Sequence, residues 1–239
     1  MSRRFFVESP IQGDVAELHS TEAQHVSKVM RCRVGDEVIL FDDSGSEFPA
    51  KISRIDRATV QLSVLERRHV DRELSCPLTI GVALPKGDRQ RWLIEKTVEL
   101  GVGKLVPLIT ERGVAQPVDK ALDRLRRSVV EASKQCGRNR LMRISEPMTV
   151  AAFCESVQSA GLRLLASPAG QRWPTTIGEA TEIAACIGPE GGFTEAEQDG
   201  ALADQWTPIA LGRRILRIET AAVAIASAVA VMTDCGSVK

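Results

Sequence analysis

Hydrophobic and polar positions alternate in short runs along the first third of the chain. Residues 3–7, 37–41, 48–55 and 59–65 read as strands of period two. The segments 34–36 and 42–46, rich in Gly, Asp and Ser, read as turns between them. Residues 21–30 predict a helix that turns Val26, Val29 and Met30 to one side. Closely spaced strands with turn signals predict a small barrel. Residues 66–76 are polar and read as a linker.

Beyond residue 76 the rhythm changes. Residues 78–84 form a continuous apolar run, as a strand buried on both faces requires. Residues 88–100 predict a helix with Ile94, Thr97, Val98 and Gly101 on one face. Strands follow at 104–109, 163–166, 183–187 and 208–211. Helices are expected at 119–136, where Gly137 is a natural stop, and at 150–157, 194–202 and 218–232. Strands alternating with helices predict an α/β domain with a parallel sheet. The chain thus divides into residues 1–72 and 73–239.

Composition narrows the function classes. Of 239 residues, 44% are hydrophobic and 26% charged, which excludes a disordered chain. The longest apolar run, 220–232, is too short and alanine-rich to span a bilayer. The first eight residues do not read as a signal peptide, so a soluble cytoplasmic protein is expected. Six cysteines, at 32, 76, 136, 154, 186 and 235, form no Cys-x-x-Cys pair. That argues for buried free thiols over a zinc ribbon or disulfide framework. Net charge is zero, yet residues 86–143 carry 14 Lys+Arg against 7 Asp+Glu. Such a local patch can meet a polyanion. The three histidines lie at 19, 25 and 69, and tyrosine is absent. Acid–base chemistry in the C-terminal domain therefore falls to carboxylates, lysine, cysteine or water.

Four segments carry candidate chemistry. In Ile187-Gly188-Pro189-Glu190-Gly191-Gly192-Phe193-Thr194, an apolar strand ends in a glycine-rich loop, and Thr194 and Glu197 form a capping box for the next helix. The loop matches neither dinucleotide nor P-loop fingerprints, and Glu190 disfavours a bare phosphate. A neutral or cationic small molecule fits better. In Leu211-Gly212-Arg213-Arg214-Ile215-Leu216-Arg217-Ile218-Glu219-Thr220-Ala221, three arginines precede an alanine-rich helix. Two further segments, 85–92 and 131–140, put basic groups at element ends, where they can reach phosphates.

Taken in order, these segments resemble the RsmE family of bacterial ribosomal RNA methyltransferases, within the SPOUT superfamily. The likeness spans Pro85-Lys86-Gly87-Asp88, Glu95-Lys96 with Glu99-Leu100-Gly101, Glu131-Ala132 with Gln135 and Arg138, the 187–193 loop and the 211–221 segment. His25, Val29-Met30-Arg31 and Gly35-Asp36 extend it into the first domain. The resemblance implies a PUA-like RNA-binding β-barrel followed by a SPOUT-type parallel sheet with a C-terminal trefoil knot. It implies a homodimer, no metal, and S-adenosylmethionine as methyl donor. The reaction implied is methylation of N3 of a uridine in 16S rRNA of the small ribosomal subunit. Alternatives are another RNA target (a ribose 2′-hydroxyl or a tRNA base) or a non-catalytic RNA-binding assembly factor.

Carried onto this sequence, the donor site would comprise Leu165, Ala166, Ile187, Gly188, Pro189, Glu190, Gly191, Gly192, Leu211, Gly212, Ile215, Leu216, Arg217, Thr220 and Ala221, with Ser167 at the strand end. Uridine N3 must lose a proton to become nucleophilic, so the site needs a base and a positive group. Glu219 and Glu131 are the candidate bases, and Arg138 and Arg217 the candidate cations. Arg31, Lys86, Arg89, Lys96, Arg112 and Arg138 are the candidate RNA contacts. Two positions depart from the family pattern. Gly113 stands where serine is expected, and Gln24 where a second histidine is expected.

Overall fold

The computed structural model describes residues 3–114, 119–174, 176 and 178–234. The chain divides into two compact units. One comprises residues 1–72 with 130–141, the other 73–129 with 142–239.

The first unit contains β1 (Arg4–Phe6), β2 (Val15–His19), α1 (Ser20–Gln24), β3 (Glu37–Phe41), β4 (Ser46–Ile55), β5 (Thr59–Val64) and β6 (Arg68–His69). The strands form one PUA-like sheet in the order β1-β3-β4-β5-β2, with β6 on β4. Alternate residues point inward, so Phe5, Leu18, Leu40, Ile52, Val60 and Leu62 pack into one core. Strand β2 escaped the pattern reading, because only Ala16 and Leu18 of its five residues face inward. The expected helix at 21–30 forms as α1 and then widens into a π-helical turn, His25–Val29. Widening sends Val26 into the core and leaves Val29 68% exposed. The expected linker is partly structured: β6 pairs with β4, and Leu74 and Cys76 are buried.

A buried arginine organises this unit. Arg4, with 6% of its side chain exposed, donates to Glu47 Oε2 at 2.9 Å, to the Gly137 carbonyl at 3.1 Å and to Asn139 Oδ1 at 2.5 Å. Arg72 donates to the same Glu47 oxygen at 3.3 Å and to the Gly137 carbonyl at 2.9 Å. Asn139 Nδ2 donates to the Val70 carbonyl, and the Leu141 amide to Asp43 Oδ1. These bonds explain why residues 130–141 belong with the first unit.

The second unit holds β7 (Leu78–Val82), α2 (Arg89–Glu99), β8 (Lys104–Ile109) and α3 (Asp119–Cys136), whose last residues belong to the first unit. Then come β9 (Arg143–Ile144), β10 (Met148–Thr149), α4 (Val150–Ser156), β11 (Leu162–Arg172), β12 (Ile183–Ile187), α5 (Glu195–Ala203), β13 (Thr207–Ala210) and α6 (Ile218–Asp234). The sheet runs β10-β8-β7-β12-β11-β13, with β9 on β8. Every pair is parallel. All residues of β7 and β12 are buried, as a central parallel strand demands. Gly81 is required there, since a Cβ would lie 2.5 Å from the Phe153 ring.

Strand β11 is longer than the expected 163–166 and is interrupted. Ile209 of β13 faces both Ala166 and Gln171, so residues 167–170 bulge out of register. Gly170 closes the bulge against β13, where a Cβ would sit 2.5 Å from the Ile209 amide nitrogen.

Cys32, Cys76, Cys136, Cys154 and Cys186 are free thiols, and Cys235 lies outside the described residues. Burial pushes Cys154 up to about 11 and Cys186 well above the usual thiol range, so both stay protonated and inert.

Two outcomes test this account. Burial pushes the Glu47 carboxyl up, but hydrogen bonds from Arg4 and Arg72 outweigh it and hold it below the ordinary range. A carboxylate depressed in the folded state contributes stability above its unfolded pKa of about 4.3 and loses it as pH falls. Wild-type stability should therefore drop more steeply than that of Glu47→Gln on titration from about pH 5 to 3. Equal slopes would remove Glu47 from the acid response. Separately, Gly170→Ala should cost about 1–3 kcal/mol in denaturant unfolding. No loss would mean that β11 yields freely at the bulge.

Candidate active site

In an open parallel sheet, ligands collect beyond the carboxyl ends of the strands, because the helix-entry loops there expose backbone amides. In the second unit, β12 ends at Ile187 and β13 at Ala210. The segments that follow, 188–193 and 211–217, wall a cleft of about 420 Å³. Ala166, Ser167 and Pro168, at the start of the β11 bulge, complete it with Ile218 and Ala221 of α6. The register break thus opens room beside β13.

Each wall is backbone-rich. The Gly192 amide donates to the Pro189 carbonyl at 2.8 Å and closes a tight turn. Gly192 (φ +70°) and Gly212 (φ +117°) have nothing within 4 Å of where a Cβ would stand. At Gly188 the Phe193 ring lies 3.1 Å from that point, so a side chain there would disturb the buried Phe193. Thr194 then caps α5. Its hydroxyl accepts from the Glu197 amide at 3.2 Å, while Glu197 Oε2 accepts from the Thr194 amide at 2.8 Å. The expected capping box is present.

Two arginines brace the glycine-rich loop. Arg112 donates from one guanidinium nitrogen to the Gly191 carbonyl at 3.1 Å and the Phe193 carbonyl at 3.4 Å. Beside it, the Glu111 amide donates to Glu197 Oε1 at 3.1 Å. Arg89, in the first turn of α2, donates to Glu190 Oε1 at 3.3 Å and reaches Glu219 Oε1 at 3.5 Å. Glu219 lies in the first turn of α6 and is 7% exposed. Its Oε2 is buried and has no hydrogen-bond partner among the described residues.

Most of the expected donor-site residues line this cleft: Ala166, the whole of 187–192, Leu211, Gly212, 215–217 and Ala221. Leu165 does not, since it points into the core at 1% exposure. Thr220 does not either; the helical turn sends it to solvent while Ile218 and Ala221 face the cleft. Sequence reasoning missed Pro168, Gln198, Ile209, Arg214 and Ile218 as lining residues. Gln198 was recoverable from helical phase, four residues beyond the Thr194 cap. Pro168 was not, because its place depends on the bulge.

Of the catalytic candidates, Arg217 lines the cleft and Glu219 stands behind Glu190 through Arg89. Glu131 and Arg138 belong to the first unit. There Glu131 accepts from Lys134 Nζ at 2.8 Å, and that same ammonium is bonded to Glu22. Glu22, His25 and Glu131 could in composition hold a metal ion, but Lys134 Nζ already contacts both carboxylates. Arg138 is 3% exposed.

Among the RNA candidates, Arg31 and Lys86 are exposed, and Lys96 pairs with Glu99 at 2.7 Å. Arg89 and Arg112 are engaged at the glycine loop, as described. Gly113 also has a local reason. It closes a turn onto the Thr110 carbonyl at 3.1 Å, and a Cβ would come 2.7 Å from Thr110 Oγ1.

A second cleft, of about 460 Å³, lies among α4, α5 and the end of β8. It is mainly apolar, and its Glu197 is fully used by the capping box and the Glu111 amide. The chemistry therefore points to the glycine-walled cleft.

The described side chains fit S-adenosylmethionine there. A volume of about 420 Å³ suits a small cofactor. Open backbone at Gly192 and Gly212 admits a flat ring, and Ile187, Ile209, Leu211, Ile215 and Leu216 give it an apolar lining.

Comparison with known proteins agrees. Residues 72–230 match the model of an RNA methyltransferase domain, and residues 20–65 that of an RNA methyltransferase PUA domain. The chain is 33% identical to ribosomal RNA small subunit methyltransferase E of a Synechocystis strain, over 90% of this chain and 71% of that one. It is 32% identical to the protein of that name in Mycobacterium bovis, over 96% and 92%. The crystal structure of ribosomal RNA small subunit methyltransferase E from Neisseria gonorrhoeae bound to S-adenosyl methionine superposes with a TM-score of 0.89. It is 27% identical and covers 95% of this chain and 96% of that one. This chain belongs to the ribosomal RNA small subunit methyltransferase E family of RNA methyltransferases.

Proposed function

We propose that this protein transfers a methyl group from S-adenosylmethionine to N3 of a uridine in 16S rRNA of the small ribosomal subunit. One observation carries the site: a glycine-walled cleft at the ends of β12 and β13, closed by Ile218 and Ala221 of the α6 first turn that also carries Glu219. When bound, the donor supplies a methyl carbon whose bond to sulfur breaks with its electrons remaining on sulfur. Glu219 takes the N3 proton, and the ring nitrogen's freed pair forms the new bond to carbon. Arg217, exposed on the cleft wall, offers positive charge to the ring oxygens.

Glu219 is preferred over Glu131 as base because its neighbours in α6, Ile218 and Ala221, line the cleft, whereas no residue around Glu131 does. Arg138, nearly buried, serves as a positioning group and not as a phosphate contact. The reaction needs no metal, since the electrophile is itself positively charged.

The same reading assigns residues 1–72 to a PUA-like RNA-binding domain and 73–239 to a SPOUT domain with a C-terminal trefoil knot. The match of 20–65 to an RNA methyltransferase PUA domain supports the first part. Exposed Arg31 and Lys86 remain free to meet phosphates, and that binding weakens with salt. A homodimer is supported by α6, where Val223, Ala224, Ser227, Ala228 and Val231 leave a half-exposed apolar stripe. No helix among the described residues is long and apolar enough to cross a membrane, which accords with action in the cytoplasm.

The deciding experiment incubates the protein with labelled S-adenosylmethionine and small subunits from cells lacking its gene, then identifies the labelled nucleoside. N3-methyluridine is expected; a 2′-O-methylated or other nucleoside would overturn the target. Glu219→Gln should lower kcat about 100-fold or more, with donor affinity unchanged by calorimetry. Full activity in that variant would remove Glu219 as the base. Arg112→Ala should weaken donor binding about tenfold, because it frees two loop carbonyls. Loss of RNA affinity alone would instead make Arg112 a phosphate contact.

A further inference from the structure

Charge is unevenly placed within the second unit. Residues 144–239 carry 6 Lys+Arg against 11 Asp+Glu, and three of those six cations stand within 213–217. They are Arg213, Arg214 and Arg217, and all three are exposed. Their loop leaves β13, turns at Gly212 (φ +117°) and ends where α6 begins at Ile218. Arg214 and Arg217 line the donor cleft, and Arg213 stands beside them outside the lining.

Several other basic side chains of this unit are answered by carboxylates. Arg91 pairs with Glu95, Lys96 with Glu99, and Arg126 with Asp123 and Glu146. Glu190 on the cleft lining and Glu219 in the first turn of α6 are both paired with Arg89. Among the described residues, none of the three loop arginines makes an ion pair.

Three guanidinia within five residues repel one another, so a polyanion that neutralises them together is bound favourably. The methyl donor does not meet that need. S-adenosylmethionine sets a sulfonium and an ammonium against one carboxylate and is a net cation. An RNA backbone does meet it, with a negative charge on every phosphate. Ile215 adds an apolar surface among the cations. It lines the cleft and is 87% exposed, more than any other large hydrophobic residue described. Aliphatic side chains of this kind pack against unstacked bases.

We propose that Arg213 and Arg214 grip neighbouring phosphates of the substrate RNA beside the target uridine, with Ile215 against the adjoining base. This deepens the proposed methylation of 16S rRNA and rests on it. The loop holds the strand at the mouth of the donor cleft, so that the target base enters while its backbone stays outside. Arg213 and Arg214 bind substrate and take no part in the proton or methyl transfer.

The test measures affinity for deletion-strain small subunits between about 50 and 200 mM salt. KM and calorimetric donor affinity are measured alongside, in Arg213→Gln, Arg213→Lys, Arg214→Gln and Ile215→Ser. Thermal unfolding and sedimentation check fold and oligomeric state. Arg213→Gln and Arg214→Gln should each weaken subunit binding about tenfold. Each should also make the plot of log affinity against log salt shallower by about 1. KM should rise by a similar factor, with donor affinity within about threefold of wild type. Arg213→Lys should keep the wild-type slope, because an ammonium releases counterions as a guanidinium does. Ile215→Ser should weaken binding about fivefold at unchanged slope, since it removes an apolar contact and no charge.

An unchanged slope in either glutamine variant would overturn the paired grip. Collapse of donor affinity in Arg214→Gln would give that arginine to the donor's carboxylate and also overturn it. Altered sedimentation of Ile215→Ser would make a second copy of this chain the occupant of the loop, against the proposal. A wild type that binds no small subunit would withdraw substrate and proposal together. If the wild type methylates another nucleoside of the subunit, the N3 reaction falls, and the same slopes still decide the role of the loop.

Discussion

A site that offers its backbone to a ligand must do without side chains, and a loop without side chains has little to hold it still. Glycine at 188, 191 and 192 opens the backbone of the cleft wall and also raises the entropy that ordering the loop must overcome. Order is supplied from outside the loop. The capping box between Thr194 and Glu197 fixes its exit, Arg112 holds two of its carbonyls, and Arg89 holds the Glu190 side chain. These groups come from separate stretches of the chain, around residues 89, 112 and 197. The parallel order β8-β7-β12 sets the strand ends from which the first two of those stretches and the loop depart. The sheet and the site are thus one construction.

The bulge in β11 plays a matching part on the other wall. A continuous ladder from 162 to 172 would keep residues 167–170 in register beside β13 and fill the space the cleft needs. Letting Ile209 face both Ala166 and Gln171 moves Ser167 and Pro168 into the lining, and Gly170 lets the chain return tightly against β13. In the first unit the organising contact is of the opposite kind. Arg4 and Glu47 form a buried ion pair, and such a pair needs further hydrogen bonds to offset its desolvation. Gly137 and Asn139, far along the sequence, supply two of those bonds. A contact of this sort adds specificity: a hydrophobic pair at the same place would not require one particular distant segment.

Much of this was legible in the sequence, for definite reasons. Strands β7 and β12 are apolar throughout because both faces are covered, and that pattern has few other readings. The capping box and the glycine run announce a strand–loop–helix junction within eight residues. What escaped was non-local. Strand β2 buries only Ala16 and Leu18 and looks polar. The bulge in β11 has no local signature beyond Gly170. The placing of residues 130–141 with the first unit depends on partners 65 or more residues away, at Arg4 and Arg72.

Charge was the most ambiguous signal. The excess of basic residues between 86 and 143 suggested a surface for RNA, and a charge count cannot tell a guanidinium facing solvent from one facing a carboxylate. The structure separates them. Lys86 faces solvent, Lys96 answers Glu99, and Arg89 and Arg112 serve the glycine loop. Arginine suits both tasks equally, because the fork that grips a phosphate also grips a carboxylate or two carbonyls. Only the acceptors opposite each group decide its task. Here the acidic residues that keep the chain neutral include the two, Glu190 and Glu219, that Arg89 pairs with.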